Sequence, residues 1–289
     1  MRIKPIKTVF AFGLLTLLMA FDYPGLKSEA NELEWEGEDS TEYNACKMEN
    51  SVFQGGEEVV YKLFYNWNFV WLAAGEVTFR VRDLGDKYHL SAHGRTYSSY
   101  EWFFKVRDKY DTYVDKETLL PIISIRDISE GKYRLFDHVT FDKTRNKAIS
   151  NRGKSRFTAE VTEYDIESCM HDILSIIYYT RNVDFNKMKP GAEIPIKIFM
   201  DKETWPLTVK YHGKEVKKVR NNGKNNTIKF TPEVIVGDIF NEGTQMMVWV
   251  SDDENKIPLL IESPVSVGSV KVVLKSYKGL KYDFEAALN

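Results

Sequence analysis

Apolar and polar residues alternate with a period of two along most of this chain. The run EEVVYKLFYNW sets Val59, Tyr61, Leu63 and Tyr65 on one face, and WLAAGEVTFRVRD follows it. Leu84-Gly85-Asp86-Lys87 then turns the chain into a third run ending at Thr96. The pattern continues through KYDTYVD, PIISIRDI, YRLFDHVTFD and RFTAEVTEY. It resumes later with EIPIKIFM, TWPLTVKYHGKEVKKV, QMMVWVS, PLLIES and SVKVVLKSY. Turn formers such as Glu130-Gly131-Lys132 and Asn221-Asn222-Gly223 separate the runs. Short strands joined by tight turns, with no strand–helix alternation, predict an antiparallel, mainly β fold.

One stretch breaks the period. From Asp165 to Phe185 the apolar residues Cys169, Met170, Ile173, Leu174, Ile176, Ile177 and Tyr178 fill roughly 200° of a helical wheel. Asp165 or Ser168 can cap its start, and Arg181 suits its negative end. The stretch reads as a helix from Glu167 to about Asn182, with Ile177 on its most enclosed face. A buried strand pair is the alternative, because Ile176 to Tyr179 are β-formers. The predicted architecture is a set of curved antiparallel sheets, or an open barrel-like sandwich, packed around this central helix. Ser98 to Phe104 predicts a second, short helical segment.

Two hairpins resemble each other. Asp115 to Pro121 and Asp252 to Pro258 share an aspartate, a polar turn, Leu or Ile, and a proline six positions on. The aspartate side chain opens such a turn, and the proline stands where a strand can spare an N–H. The expectation is one domain, 46–289, made of two similar halves (about 46–164 and 183–289) sharing a core.

The first thirty residues stand apart. Arg2, Lys4 and Lys7 precede the apolar run from Thr8 to Phe21, and Ser28-Glu29-Ala30 offers small residues to a signal peptidase. The run is shorter than the ~20 apolar residues a membrane span needs. Residues 1–30 are therefore expected to be a signal peptide, with an uncleaved anchor as the alternative, and 31–45 an acidic leader. The expected location is the periplasm of a Gram-negative envelope, with no span left after cleavage. Export bears on Cys46 and Cys169, the two cysteines of the chain. An even count in an oxidising compartment predicts a Cys46–Cys169 disulfide, two unpaired thiols being the alternative.

Val59 and Tyr61 with Ala73-Ala74-Gly75-Glu76, then Val106-Arg107-Asp108, the Asp115–Pro121 hairpin and Asp172 to Tyr178 occur in one order. Trp249 to Pro258 and Val267-Gly268-Ser269-Val270 complete it. In this the chain resembles the bacterial envelope family called domain of unknown function 3108, in its Bacteroidetes form. The resemblance implies fold and location, and no chemistry. The Asp…Leu-Pro hairpin is also similar to one in periplasmic lipoprotein carriers of the LolA and RseB type, which cup a curved sheet around helices to hold acyl chains.

Candidate chemistry is sparse. A formal net charge of −2 gives no electrostatic reason for a nucleic-acid partner. Seven cations between Lys210 and Lys229 decorate a hairpin and are expected to face solvent. His89 and His93 fall on one strand face about 13 Å apart, too far for shared metal ligation, and read as surface histidines. His171 and Ser175 can touch at i, i+4, yet no nucleophile elbow accompanies them. Asp108, between Arg107 and Lys109, suggests a structural ion pair. No catalytic residue, metal site or cofactor is assigned. Aromatic runs at Tyr61–Trp71 and Tyr97–Phe104 suggest an apolar binding surface, with Phe69, Trp71, Trp102, Ile177 and Tyr178 as candidate ligand contacts. Two functions fit: a binding or carrier module for a lipid-like envelope component, or a structural or assembly protein with an envelope protein partner. A hydrolase comes third. An empty apolar cavity beside Ile176 and Ile177 would favour the first.

Overall fold

The computed structural model describes residues 46–67, 70–102, 104–235, 240–266 and 268–288, with Trp67 by its backbone alone. The expected signal peptide, the leader and Phe69 lie outside the described residues. Strands β1 (Glu58–Trp67), β2 (Val70–Asp83), β3 (Lys87–Thr96), β4 (Arg107–Asp115), β5 (Pro121–Glu130), β6 (Tyr133–Asp142), β7 (Lys147–Gly153) and β8 (Glu160–Asp165) form a first antiparallel meander. After helix α1 (Ile173–Arg181) comes a second meander: β9 (Glu193–Met200), β10 (Glu203–Val219), β11 (Gly223–Pro232), β12 (Met247–Ser251), β13 (Pro258–Pro264) and β14 (Ser269–Lys278). Pairing of β1 with β14 joins the two meanders into one sheet, and a short β15 (Ala287–Leu288) adds to β11. The mainly β, antiparallel expectation holds.

The sheet is open, with β8 and β9 at its ends. It is nevertheless strongly curled. Helix α1 packs on β3, β4 and β9, and β4 and β9 stand nine places apart in the strand order. At about 4.8 Å per step they would be roughly 40 Å apart in a flat sheet, so the sheet must wrap the helix. A single parallel bridge, His171 to Ile198, ties the connection between β8 and α1 to the β9 end.

The helix is shorter than its apolar pattern predicts. Residues 167–172 are not helical. Cys169 has φ 55° and is bonded to Cys46, with Cα atoms 5.3 Å apart. His171 exchanges backbone hydrogen bonds with Lys197 and Phe199. Asp172 is the N-cap, in place of Asp165 or Ser168: its carboxylate accepts from the Ser175 N–H at 2.9 Å and the Ser175 hydroxyl accepts from its own N–H at 3.0 Å. This capping box fixes the first turn where the strand-like segment ends. Glu167 instead pairs with Lys197. The segment predicted at Ser98–Phe104 is a 3-10 turn over Ser98–Tyr100.

Two glycines of the family-like pattern meet backbone demands. A Cβ on Gly75 would run into the carbonyl of Arg95 across the β2–β3 pair. Gly268 sits at φ 86°, where a Cβ would strike the Asn66 carbonyl. The two similar hairpins also share a backbone device. Leu119 and Lys256, each four positions after the aspartate that opens its motif, have φ 56° and 45°. Asp115 accepts the N–H groups of Glu117 and Thr118 at 3.1 and 3.0 Å. In the second turn Asp253, not Asp252, does this for Asn255 and Lys256 at 3.1 and 3.2 Å. Asp252 is drawn away to Lys214.

Candidate ligand cavity

Inside the curled sheet the two meanders differ. The one carrying β9 to β13 turns apolar side chains inward, and between it and α1 lies a cavity of about 150 Å³. One helical stripe, Ile173, Ile176, Ile177 and Thr180, lines it, the i, i+3, i+4, i+7 spacing that puts residues on a common face. Opposite stand Ile196, Leu207, Phe230, Val248 and Ile261, one from each of the five strands. Ile177, Thr180, Ile196 and Leu207 are half-buried, so the cavity reaches solvent along the side where α1 meets the β9 edge.

Its charged lining comes from few residues. Arg181 donates to Glu57 at 2.6 and 2.9 Å, with both side chains buried, and donates again to the Asn255 carbonyl. A buried cation is tolerated when it is paired this fully. Glu233 lines the cavity as an exposed residue, and Lys256 as a half-buried one.

The other meander shares the apolar core with α1 and in addition buries a polar cluster. Asp172 accepts from Thr112 at 2.5 Å and from Ser124 at 2.7 Å. Arg126 and Arg152 each bridge Asp137 and Asp201 at 2.6 to 3.0 Å, tying β5, β6 and β7 to the turn after β9. Burial would raise both aspartates, but the two guanidiniums hold them below the ordinary range. Asp108 makes no ion pair with its sequence neighbours, contrary to expectation. Arg107 pairs with Glu101, and Asp108 lies buried against Glu130. Burial first, and the proximity of the two carboxyls second, push Glu130 up, and burial pushes Asp108 up too. Asp108 Oδ2 and Glu130 Oε1 have no donor among the described residues, and a proton on either carboxyl would supply one.

The His171–Ser175 pair does form, at 3.0 Å. It is not a nucleophile site: the Ser175 hydroxyl is fully buried and committed to the capping box. Burial, with a smaller push from Lys143, lowers the His171 pKa to about 3. His89 is not a surface residue as expected. It is buried between Arg82 and Asp111 at 3.0 and 2.7 Å and stacks on Tyr113.

Of the candidate contacts, Ile177 and Tyr178 line the cavity. Trp71 lies elsewhere, half-buried with the Lys271 ammonium 4.5 Å from its ring. Trp102 is 83% exposed, its indole donating to the Ser99 carbonyl. Of the aromatic runs, Tyr61 reaches the cavity and no described residue of Tyr97–Phe104 does. The candidate contacts include none of the walls from β9 to β13. The signal for them is the inward alternation of those strands, which marks a face as inward without saying whether it meets a filled core or a void.

Among curated proteins none matches this chain. Among solved structures it is similar to a β-barrel-like protein of domain of unknown function DUF1849 from Brucella abortus, with a TM-score of 0.52 and 9% identity over 78% of this chain and 98% of that one. A weaker similarity, TM-score 0.31 at 12% identity over 80% of this chain and 99% of the other, is to a candidate exported protein with a YmcC-like fold from Bacteroides fragilis. The first likeness concerns the fold alone. No helix among the described residues is long and apolar enough to cross a membrane. The model of the family described as Protein of unknown function (DUF3108) matches residues 60–275, and the chain belongs to that family.

Proposed function

We propose that this protein is an exported, periplasmic binding or carrier module for an apolar, lipid-like envelope component. The observation that carries the reading is the apolar cavity between α1 and β9–β13, bounded by Ile176 and Ile177. The apolar run and small-residue motif near the N-terminus support the location. An engineered apolar cavity of ~150 Å³ stays dry and takes a benzene-sized guest. As it stands, then, the cavity holds on the order of six carbons. Burying about 200 Å² of ligand yields about 5 kcal/mol before association costs, so tight binding requires a longer chain that runs out through the α1–β9 side.

Native mass spectrometry of protein purified from its own envelope, followed by lipid extraction, tests this directly. The expected result is a bound lipid-like species at one per chain. Ile177→Trp, which fills the cavity from a half-buried position, should lose it with the fold intact. Protein without any such species, and without saturable binding of alkyl-chain ligands by calorimetry, would overturn the reading. The open edge of β8, where Val161 is exposed beside the exposed Phe157, favours the second reading, an assembly protein with an envelope protein partner.

A further inference from the structure

Lys256 stands at an unusual place. It occupies a left-handed backbone position, φ 45°, which is strained for a non-glycine residue. The matching position of the first hairpin is Leu119, also left-handed, whose side chain is 1% exposed in the main core. The same turn that delivers a leucine to the core in one half delivers a lysine to the cavity wall in the other. The Lys256 backbone is fixed by its N–H donated to Asp253.

Its side chain has no ion-pair partner among the described residues, although acidic groups are near. The charges acting on it are those of Asp184, Arg181, Asp253 and Glu254. Asp184 is taken by Lys187 at 3.1 Å. Asp253 accepts from the Ser251 hydroxyl and from three backbone N–H groups, and Glu254 is exposed. Arg181, the other cation of the lining, is closed off by Glu57. Glu233 is exposed and solvated. Burial is the first effect on Lys256 and lowers its pKa, which is the behaviour of an ammonium short of a counter-ion.

Resting on the proposed carrier reading, we infer that the ligand is an anionic single-chain amphiphile, its alkyl chain in the cavity and its carboxylate or phosphate headgroup on the Lys256 ammonium. A charge-assisted hydrogen bond at a partly buried site favours the anion over a neutral headgroup on the same chain by about tenfold or more.

The test is calorimetry with four dodecyl probes below their micellar concentrations: dodecanoate, dodecyl phosphate, dodecan-1-ol and dodecylammonium. The intact protein should bind one or both anions at least about tenfold tighter than the alcohol, with the ammonium weakest. The stronger of the two anions identifies the headgroup. Lys256→Met, which keeps the length of the stem, should bind acid and alcohol alike. Lys256→Arg should restore the preference. Equal binding of acid and alcohol by the parent protein would overturn the headgroup assignment and leave the apolar cavity standing. Failure of all four probes would overturn both.

Discussion

Arg181 and Glu57 meet across 124 residues of chain as a bidentate, buried pair, joining the last turn of α1 to the entrance of β1. Arg181 also stands over the rings of Phe53 and Tyr178. The pair fixes the C-terminal end of the helix against the seam where the two meanders join. Asp172 fixes the other end.

Breaking the pair should be worse than deleting it. Arg181→Met leaves a buried carboxylate without its cation and is expected to cost about 3–5 kcal/mol. The double variant Arg181→Met, Glu57→Met replaces it with apolar contacts and should recover most of that. Urea unfolding of both variants decides it, and two equally unstable proteins would show that the Asn255 contact, not the pair, matters.

His171 should make the fold acid-sensitive. The folded state keeps it neutral down to pH about 3, while the unfolded chain protonates it near 6.5. Across that window the unfolded state binds the extra proton, so stability falls as pH falls, by up to about 1.4 kcal/mol per unit. Melting temperatures from pH 7 to 4 should show a shallower decline for His171→Gln than for the parent. Parallel declines would show that other groups govern acid unfolding.

Asp108 and Glu130 should act in the opposite direction. Their protons are held in the fold to pH values at which an unfolded carboxyl has lost them, up to about 9 for Glu130. Their contribution is therefore full below the ordinary carboxylate range and is lost as pH rises. The Asp108→Asn, Glu130→Gln variant should gain melting temperature on the parent between pH 5 and pH 9. An unchanged difference would mean that the pair is ionised throughout.

The helix positions should separate by burial. Leu174, with no exposure, is expected to lose about 2–5 kcal/mol on truncation to alanine. Ile177 is half-buried at the cavity, not on the most enclosed face as the wheel suggests, so Ile177→Ala should cost less and change ligand capacity instead. Thermal melts of the two variants check the order.

The Cys46–Cys169 bond closes a span of 123 residues, worth about 4–5 kcal/mol in the chain-entropy model. Reductant should lower the melting temperature by several degrees without abolishing the sheet signal in circular dichroism. An unchanged melt would show that the hydrogen bonds joining the Ile166–Asp172 connection to its neighbours hold it unaided.

Period-two alternation and turn chemistry were enough to determine an antiparallel, mainly β fold, and the break in that period marked the helical interruption among the described residues, because side-chain facing and turn conformation are local properties. The disulfide partners followed from a count of two and the expected export. The sequence could not determine where α1 begins. Cys169, Met170 and His171 carry helical spacing, but a disulfide, a bridge to β9 and the Asp172 capping box outweigh a propensity worth tenths of a kcal/mol per residue. Nor could it place Trp71 and Trp102 away from the cavity, or pair Asp108 with Glu130 and Arg181 with Glu57. Those pairings depend on how far the sheet curls. That curl sums small twists over many strands around one helix, and only the assembled structure contains the sum. Whether the enclosed space beside Ile176 is filled or empty was decided there too, since a void is a property of facing walls and no single strand encodes both.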